Sequence, residues 1–173
     1  MGLLTAARGR SRTVAFAVAL AGLLLAASAG SALARSAFVS NFGLGSVSVF
    51  DTQTNQVAAS TIAVGTKPQG MAITPDGRFA YVANAGSGTV SVIDTQTDQT
   101  IGSPIAVGVF PYAVAITPDG RYAYVVDNGS ESVSVIDTQT RQVVKTITTA
   151  DPNPIGIAIA PDGKRAYVTN NDT

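Results

Sequence analysis

Neither cysteine nor histidine occurs anywhere in the 173 residues, and Glu131 is the sole glutamate. Without cysteine there is no disulfide framework, so cohesion has to come from apolar burial and strand pairing. Without histidine no Ser-His-Asp or Cys-His arrangement can be assembled, and a zinc site of the usual ligands is excluded. Excess positive charge is lacking too. Basic and acidic residues number 11 each, but Arg8, Arg10 and Arg12 fall in a leader, leaving 8 basic residues against 11 acidic ones and a net charge of about −3. That balance gives no electrostatic case for nucleic acid. A helical hydrophobic period of useful length is also missing, which argues against an α-rich fold.

What is present is an apolar fraction of 46%, enough for a globular core in one domain. Residues 1–34 have the layout of a secretory signal peptide: a basic start ending at Arg12, an apolar run from Val14 to Leu25, and small residues ending in Ala32-Leu33-Ala34. Cleavage after Ala34 is expected, and with it a secreted, periplasmic or cell-surface location. If uncleaved, the chargeless stretch 13–34 is long enough to anchor the chain in a bilayer, and the membrane is expected as a partner only in that form. The arginines never form an adjacent pair, so a twin-arginine address is not supported.

The mature part repeats with a period of 43. FVSN at 38 recurs as YVAN at 81, YVVD at 124 and YVTN at 167, and TPDGR at 74 recurs at 117 with APDGK at 160. Residues 38–80 and 81–123 align without a gap at 26 identities in 43 positions. The units are 38–80, 81–123 and 124–166, with 167–173 starting another.

Within a unit the apolar residues alternate by two, the mark of strands. Ala113 to Ile116, Tyr122 to Val126, Ser132 to Ile136 and Val143 to Ile147 form one set of four. In Thr117-Pro118-Asp119-Gly120-Arg121 the proline presets φ, aspartate suits the third position and glycine takes the left-handed conformation that closes a hairpin. In Asp137-Thr138-Gln139-Thr140 the carboxylate is placed to accept backbone N–H groups further along. The opening strand mixes small residues with large ones, Gly70 and Ala72 against Met71 and Ile73, which suits a crowded axis. Together these features predict an all-β fold, a partial, open β-propeller of about three four-stranded antiparallel blades over residues 35–173, preceded by a signal-peptide helix. A solenoid of stacked sheets is the alternative.

YVAN, YVTN, SGTVSVIDTQT and GMAITPDG resemble the blade repeat of the YVTN family of β-propellers, across essentially the whole mature chain. The resemblance implies a seven-bladed ring in complete members, export or surface display, and non-catalytic binding or unknown roles. Counted from Phe38, this sequence supplies strands two to four of one blade, two whole blades, then the first strand and part of the second of another. An open arc leaves unpaired edges and an apolar flank. The expectation is a fragment of a longer polypeptide, or self-association through the open blade edges.

Repetition separates architecture from function. Asp51, Asp94 and Asp137, like Asp76, Asp119 and Asp162, recur at fixed offsets and are assigned to turns; Tyr81, Tyr124 and Tyr167 are assigned to packing between blades. Two regions break the pattern. One is the approach to each opening strand: Lys67-Pro68-Gln69, Phe110-Pro111-Tyr112 and Asn153-Pro154-Ile155. The other is the turn after the YVxN strand, where Asp127-Asn128 stands in the third copy. The first lies at the mouth of a propeller channel. Lys67, Gln69, Phe110, Tyr112, Asn153, Asp127 and Asn128 are therefore the candidate ligand-binding residues, with the bland reading that Phe110 and Tyr112 cap a neighbouring blade and that residues 127–131 form an exposed polar hairpin. No catalytic residue, metal site or cofactor is expected. The function read from the sequence is a non-enzymatic extracytoplasmic binding or scaffold module for an unknown protein or envelope partner. The alternative is a fragment of a propeller hydrolase or lactonase whose catalytic residues lie in blades not present here.

Overall fold

A computed structural model describes residues 36–171, so the expected signal segment 1–34 lies outside the described residues. Strands follow one another as antiparallel meanders in four sheets. The first sheet holds β1 (Ser36–Asn41), β2 (Ser46–Asp51) and β3 (Gln56–Ala63). The second holds β4 (Pro68–Ile73), β5 (Phe79–Asn84) and β6 (Thr89–Asp94), with an outer strand in two pieces, β7 (Gln99–Thr100) and β8 (Ile105–Ala106), both paired to β6. The third holds β9 (Pro111–Ile116), β10 (Tyr122–Asp127), β11 (Ser132–Asp137) and β12 (Gln142–Thr148), and the fourth β13 (Pro154–Ile159) and β14 (Ala166–Asn170). Among the described residues the sole helical element is a 3₁₀ turn, Asn128–Ser130.

Alternation along the middle strands builds the core, because successive side chains of a strand point to opposite faces. Ala80 and Val82 of β5, with Ile93 of β6, bury against Val47, Val49 and Ile62 of the first sheet. Tyr81 and Ala83 of β5, with Val90 and Val92 of β6, bury against Ala123, Val125 and Ile136 of the third. The second sheet is thus apolar on both faces and sandwiched.

The inner strands set the angle between sheets. β4 lies against β9 and β9 against β13, and β1, the second strand of its blade, meets β4 as β5 meets β9, whereas the outer strands of adjacent sheets scarcely meet. Sheets that converge along one edge and diverge along the other form a fan, which separates propeller blades from a stacked solenoid. Convergence leaves no room at Gly70, where a Cβ would come within 2.6 Å of the Tyr112 carbonyl oxygen and 2.9 Å of the Ala113 Cα.

The outer strands are bulged. Ser48 pairs with Thr61 while Phe50 pairs with Val57, and in the third sheet Val135 pairs with Lys145 while Ile136 pairs with Val143. The bulge is one residue shorter in the third sheet, which explains how that copy loses a residue in its fourth strand without losing register.

The repeated turns form as their composition predicts. Gly77 and Gly120 both take φ 73° and donate to the carbonyls of Thr74 and Thr117 at 2.8 Å. Thr74 Oγ1 donates to Asp76 Oδ1 at 2.5 Å, and the Arg78 amide donates to the same oxygen at 3.0 Å; Thr117, Asp119 and Arg121 repeat the arrangement. Asp51, Asp94 and Asp137 each accept N–H groups two and three residues on. The threonine hydroxyl, then the arginine amide, holds the Asp76 and Asp119 carboxyls below the ordinary aspartate value of 3.8, and the Thr140 amide does so for Asp137. A depressed carboxyl contributes stability that is present above the unfolded value and lost as pH falls through the folded one. The melting temperature should therefore fall as pH drops below about 4. Asp76→Asn with Asp119→Asn should flatten that fall, as thermal unfolding between about pH 2 and 5 would measure; equal slopes would contradict the assignment.

Candidate functional site

Each inner strand opens on a buried proline, Pro68, Pro111 or Pro154. The residue before each proline, Lys67, Phe110 or Asn153, has φ of 51°, 53° and 51° respectively. A left-handed backbone is uncommon outside glycine, and a following proline disfavours helical φ and ψ further. The conformation persists because the same bond holds it in every blade. The Ala85 amide donates to the Lys67 carbonyl at 3.0 Å, that of Asn128 to Phe110 at 3.0 Å, and that of Asn171 to Asn153 at 2.9 Å. One further bond joins each of two inter-blade loops to the following turn, Gly86 N–H to Thr66 and Gly129 N–H to Val109, both at 2.9 Å. The inter-blade loops and the turns after the YVxN strands therefore occupy the same end of the blades, and both off-repeat regions of the sequence meet there.

Large hydrophobic side chains are exposed at that end. Phe110 is 46% exposed and Tyr112 40%. Phe42, Leu44, Val109 and Ile155 are exposed in these loops or just beyond them, and the Lys67 ammonium stands 5.9 Å from the Phe42 ring centre. The charged residues of these loops are Lys67, Glu131 and Asp151. The opposite end carries Arg78, Arg121 and Arg141 and the carboxylates of Asp76, Asp119 and Asp162. The apolar end is thus the chemically distinct one.

The sequence candidates divide when placed in the fold. Lys67, Phe110 and Asn153 are exposed and structurally equivalent, and Tyr112 stands one residue past the proline on the inner strand, where Gln69 is half-buried with its carbonyl taking the Ser40 hydroxyl at 2.7 Å. Asn128 is a clasp between blades: its amide nitrogen Nδ2 donates to the Pro154 carbonyl at 3.1 Å. Asp127 departs from the exposed hairpin expected for residues 127–131. Its side chain is fully buried, because it ends β10 beneath the inter-blade loop, and the residues after it wind into the 3₁₀ turn. Val109, Leu44 and Ile155 were not among the candidates. Their signal was a large apolar side chain in a loop or just beyond a loop proline, which single-residue inspection does not separate from core. Among the described residues no three carboxylates converge in a way that could hold a metal ion.

Antiparallel sheets of up to four strands that converge on their inner strands make the described residues an arc of β-propeller blades. The chain belongs to the lactonase family of seven-bladed β-propellers, whose sequence profile matches residues 35–173. Among solved structures it is similar to hydrazine synthase of Kuenenia stuttgartiensis, with a TM-score of 0.75 and 40% identity over 79% of this chain and 39% of that one. The dihydro-heme d1 dehydrogenase NirN, solved in complex with DHE, matches with a TM-score of 0.67 and 20% identity over 80% of this chain and 30% of that one. A protein of Bacteroides uniformis assigned as a 6-phosphogluconolactonase matches with a TM-score of 0.67 and 19% identity over 79% of this chain and 47% of that one. The last two likenesses are of fold alone, and the chain spans less than half the length of each of the three. A search of the curated proteins finds no match.

Proposed function

We propose that this protein is a non-enzymatic binding or scaffold module of the YVTN type, acting outside the cytoplasm, which presents the inter-blade loop face to a protein or envelope partner. One observation carries the reading. The backbone at Lys67, Phe110 and Asn153 is held in the same left-handed conformation by the same hydrogen bond, while the side chain changes from cation to aromatic to amide. A fixed, strained frame with a changing side chain is what a recognition surface needs, because the frame sets direction and the side chain sets chemistry. Phe110 and Tyr112 serve as anchors, since aromatic side chains give large contact area at little entropic cost.

The second reading, a hydrolase acting on a lactone, is favoured by the family match itself. Two assays on the full chain separate them. Glycan and peptide arrays should register binding that Phe110→Ala with Tyr112→Ala weakens by about tenfold or more, while stability changes by under about 1 kcal/mol. A large loss of stability would instead assign both rings to packing. Turnover of 6-phosphogluconolactone above the buffer rate would overturn the non-enzymatic reading.

A further inference from the structure

One residue breaks the repeat inside the protein rather than on its surface. Asn41, Asn84 and Asn170 end the second strand in three copies, and Asp127 stands at that place in the third sheet. The asparagine works through its amide hydrogens. Nδ2 of Asn41 donates to Ser46 and Ser48 at 3.1 and 2.9 Å, and Nδ2 of Asn84 to Thr89 and Ser91 at 3.2 and 2.9 Å. An ionised aspartate has no hydrogen to give. Ser134 Oγ, the counterpart of Ser91, donates to Asp127 Oδ2 at 2.6 Å, while Oδ1, like Oδ1 of Asn84 and Asn170, is buried without a hydrogen-bond partner.

A charge there would have no counter-ion. The titratable residues on the elements around it are Tyr112 on β9, Tyr122 and Tyr124 on β10, Asp137 on β11, Glu131 in the turn, Asp151 in the next inter-blade loop and Tyr167 on β14, and none acts on its charge. Burial dominates and pushes the carboxyl above the ordinary 3.8, opposed in part by the Ser134 hydroxyl. Burial without a counter-ion disfavours the charged form, because the anion would lose its hydration.

The roof over the carboxyl is the inter-blade loop 107–110. A Cβ on Gly108 would come within 2.6 Å of Asp127 Cβ and 2.7 Å of its Cγ. The loop is stitched to the turn that follows Asp127: the Val109 amide donates to Ser130 Oγ at 2.7 Å, and the Asn128 and Gly129 amides donate to the Phe110 and Val109 carbonyls. Water reaching an anionic Asp127 has to displace this loop.

We propose that Asp127 is a proton-operated latch on the loop that carries Phe110. Protonated, its carboxyl sits uncharged against Ser134 in the place of the asparagine amide of the sister repeats; ionised, having given its proton to solvent, it admits water and loosens loop 107–110. A raised carboxyl contributes stability that is complete below the unfolded value and is lost as pH rises through the folded one. The latch lies beneath the proposed binding face and rests on that reading only for its effect on a partner.

Hydrogen exchange of the full chain and of Asp127→Asn, compared at equal pH so that intrinsic rates cancel, tests this without any ligand. Amides of 107–110 and 129–131 should exchange alike in the two proteins near pH 4 and progressively faster in the native chain as pH rises, by up to about tenfold per pH unit until the carboxyl is fully ionised. A constant ratio across pH overturns the latch. Should Asp127→Asn fail to fold, the carboxyl carbon resonance of Asp127 in the native chain decides instead: titration above 3.8 supports the latch and titration at or below it overturns it. Absence of array binding would remove the proposed function and leave this result untouched.

Discussion

Gly70→Ala is expected to lower stability by about 3 kcal/mol, the upper end of the usual cost of overpacking. The new methyl would meet the Tyr112 carbonyl and the Ala113 Cα, and backbone cannot swing aside as a flexible side chain does. β4 would have to move away from β9 along the line where the blades converge. Two other glycines calibrate the effect. Gly43→Ala meets nothing within 4 Å and should be close to neutral, whereas Gly77→Ala also meets nothing but forces a side chain to φ 73°, costing about 1 kcal/mol. Urea titration should rank the losses Gly70→Ala, then Gly77→Ala, then Gly43→Ala. A Gly70→Ala variant as stable as Gly43→Ala would show that the inner strands are not in close contact.

Tyr81→Ala should cost about 3–5 kcal/mol, as large-to-small changes of buried aromatics do. Tyr81 is fully buried on the face of the second sheet that packs on the third, and its hydroxyl donates to the Thr138 carbonyl at 3.2 Å, in the β11–β12 turn of the third sheet. Tyr81→Phe keeps the ring and loses only that bond, so about 1 kcal/mol is expected. Tyr167 holds the same place in the repeat but is 57% exposed, no further sheet covering it among the described residues. Tyr167→Ala should therefore cost well under half of what Tyr81→Ala does, as denaturant midpoints would measure. Equal losses would mean the tyrosine acts within its own sheet rather than between blades.

That contrast shows which features the sequence exposes. Strand number, strand faces and both families of turn follow from local chemistry: alternation fixes the buried sides of β5 and β6, and Thr-Pro-Asp-Gly specifies its turn through side-chain and φ preferences within five residues. The crowded axis was legible as well, because small residues recur in the opening strand and Gly70 is where the space runs out. The start of that strand was less legible. Alternation suggests Ala113, yet pairing begins at Pro111, opposite Asp127, because a bulge after Val126 lets a residue without an N–H open the strand.

The left-handed residues could not be read from type. Lys67 and Phe110 have no intrinsic preference for positive φ; the conformation is imposed by the Ala85 and Asn128 amides, which arrive from 18 residues further along in each case. Only Asn153, a residue that tolerates the region, carries a hint. Asp127 misled for a related reason. Asp-Asn-Gly-Ser-Glu has the composition of an exposed turn, and nothing local says that the strand ends one residue into it. The available signal was positional: Asp127 aligns with Asn41, Asn84 and Asn170, which places it with the repeated framework rather than with the variable loop.

The fan of blades about their inner strands determines both where the apolar loop face lies and why Asp127 is roofed. Nuclear Overhauser contacts on the full chain address it directly. Gly70 Hα should show strong contacts to Ala113 Hα across β4 and β9, while the successive outer strands, β3 with β7 and β8 with β12, should show far fewer. Missing contacts between Gly70 and Ala113, with contacts instead between successive outer strands, would mean the sheets stack in parallel or lie flat, and the shared loop face would not exist.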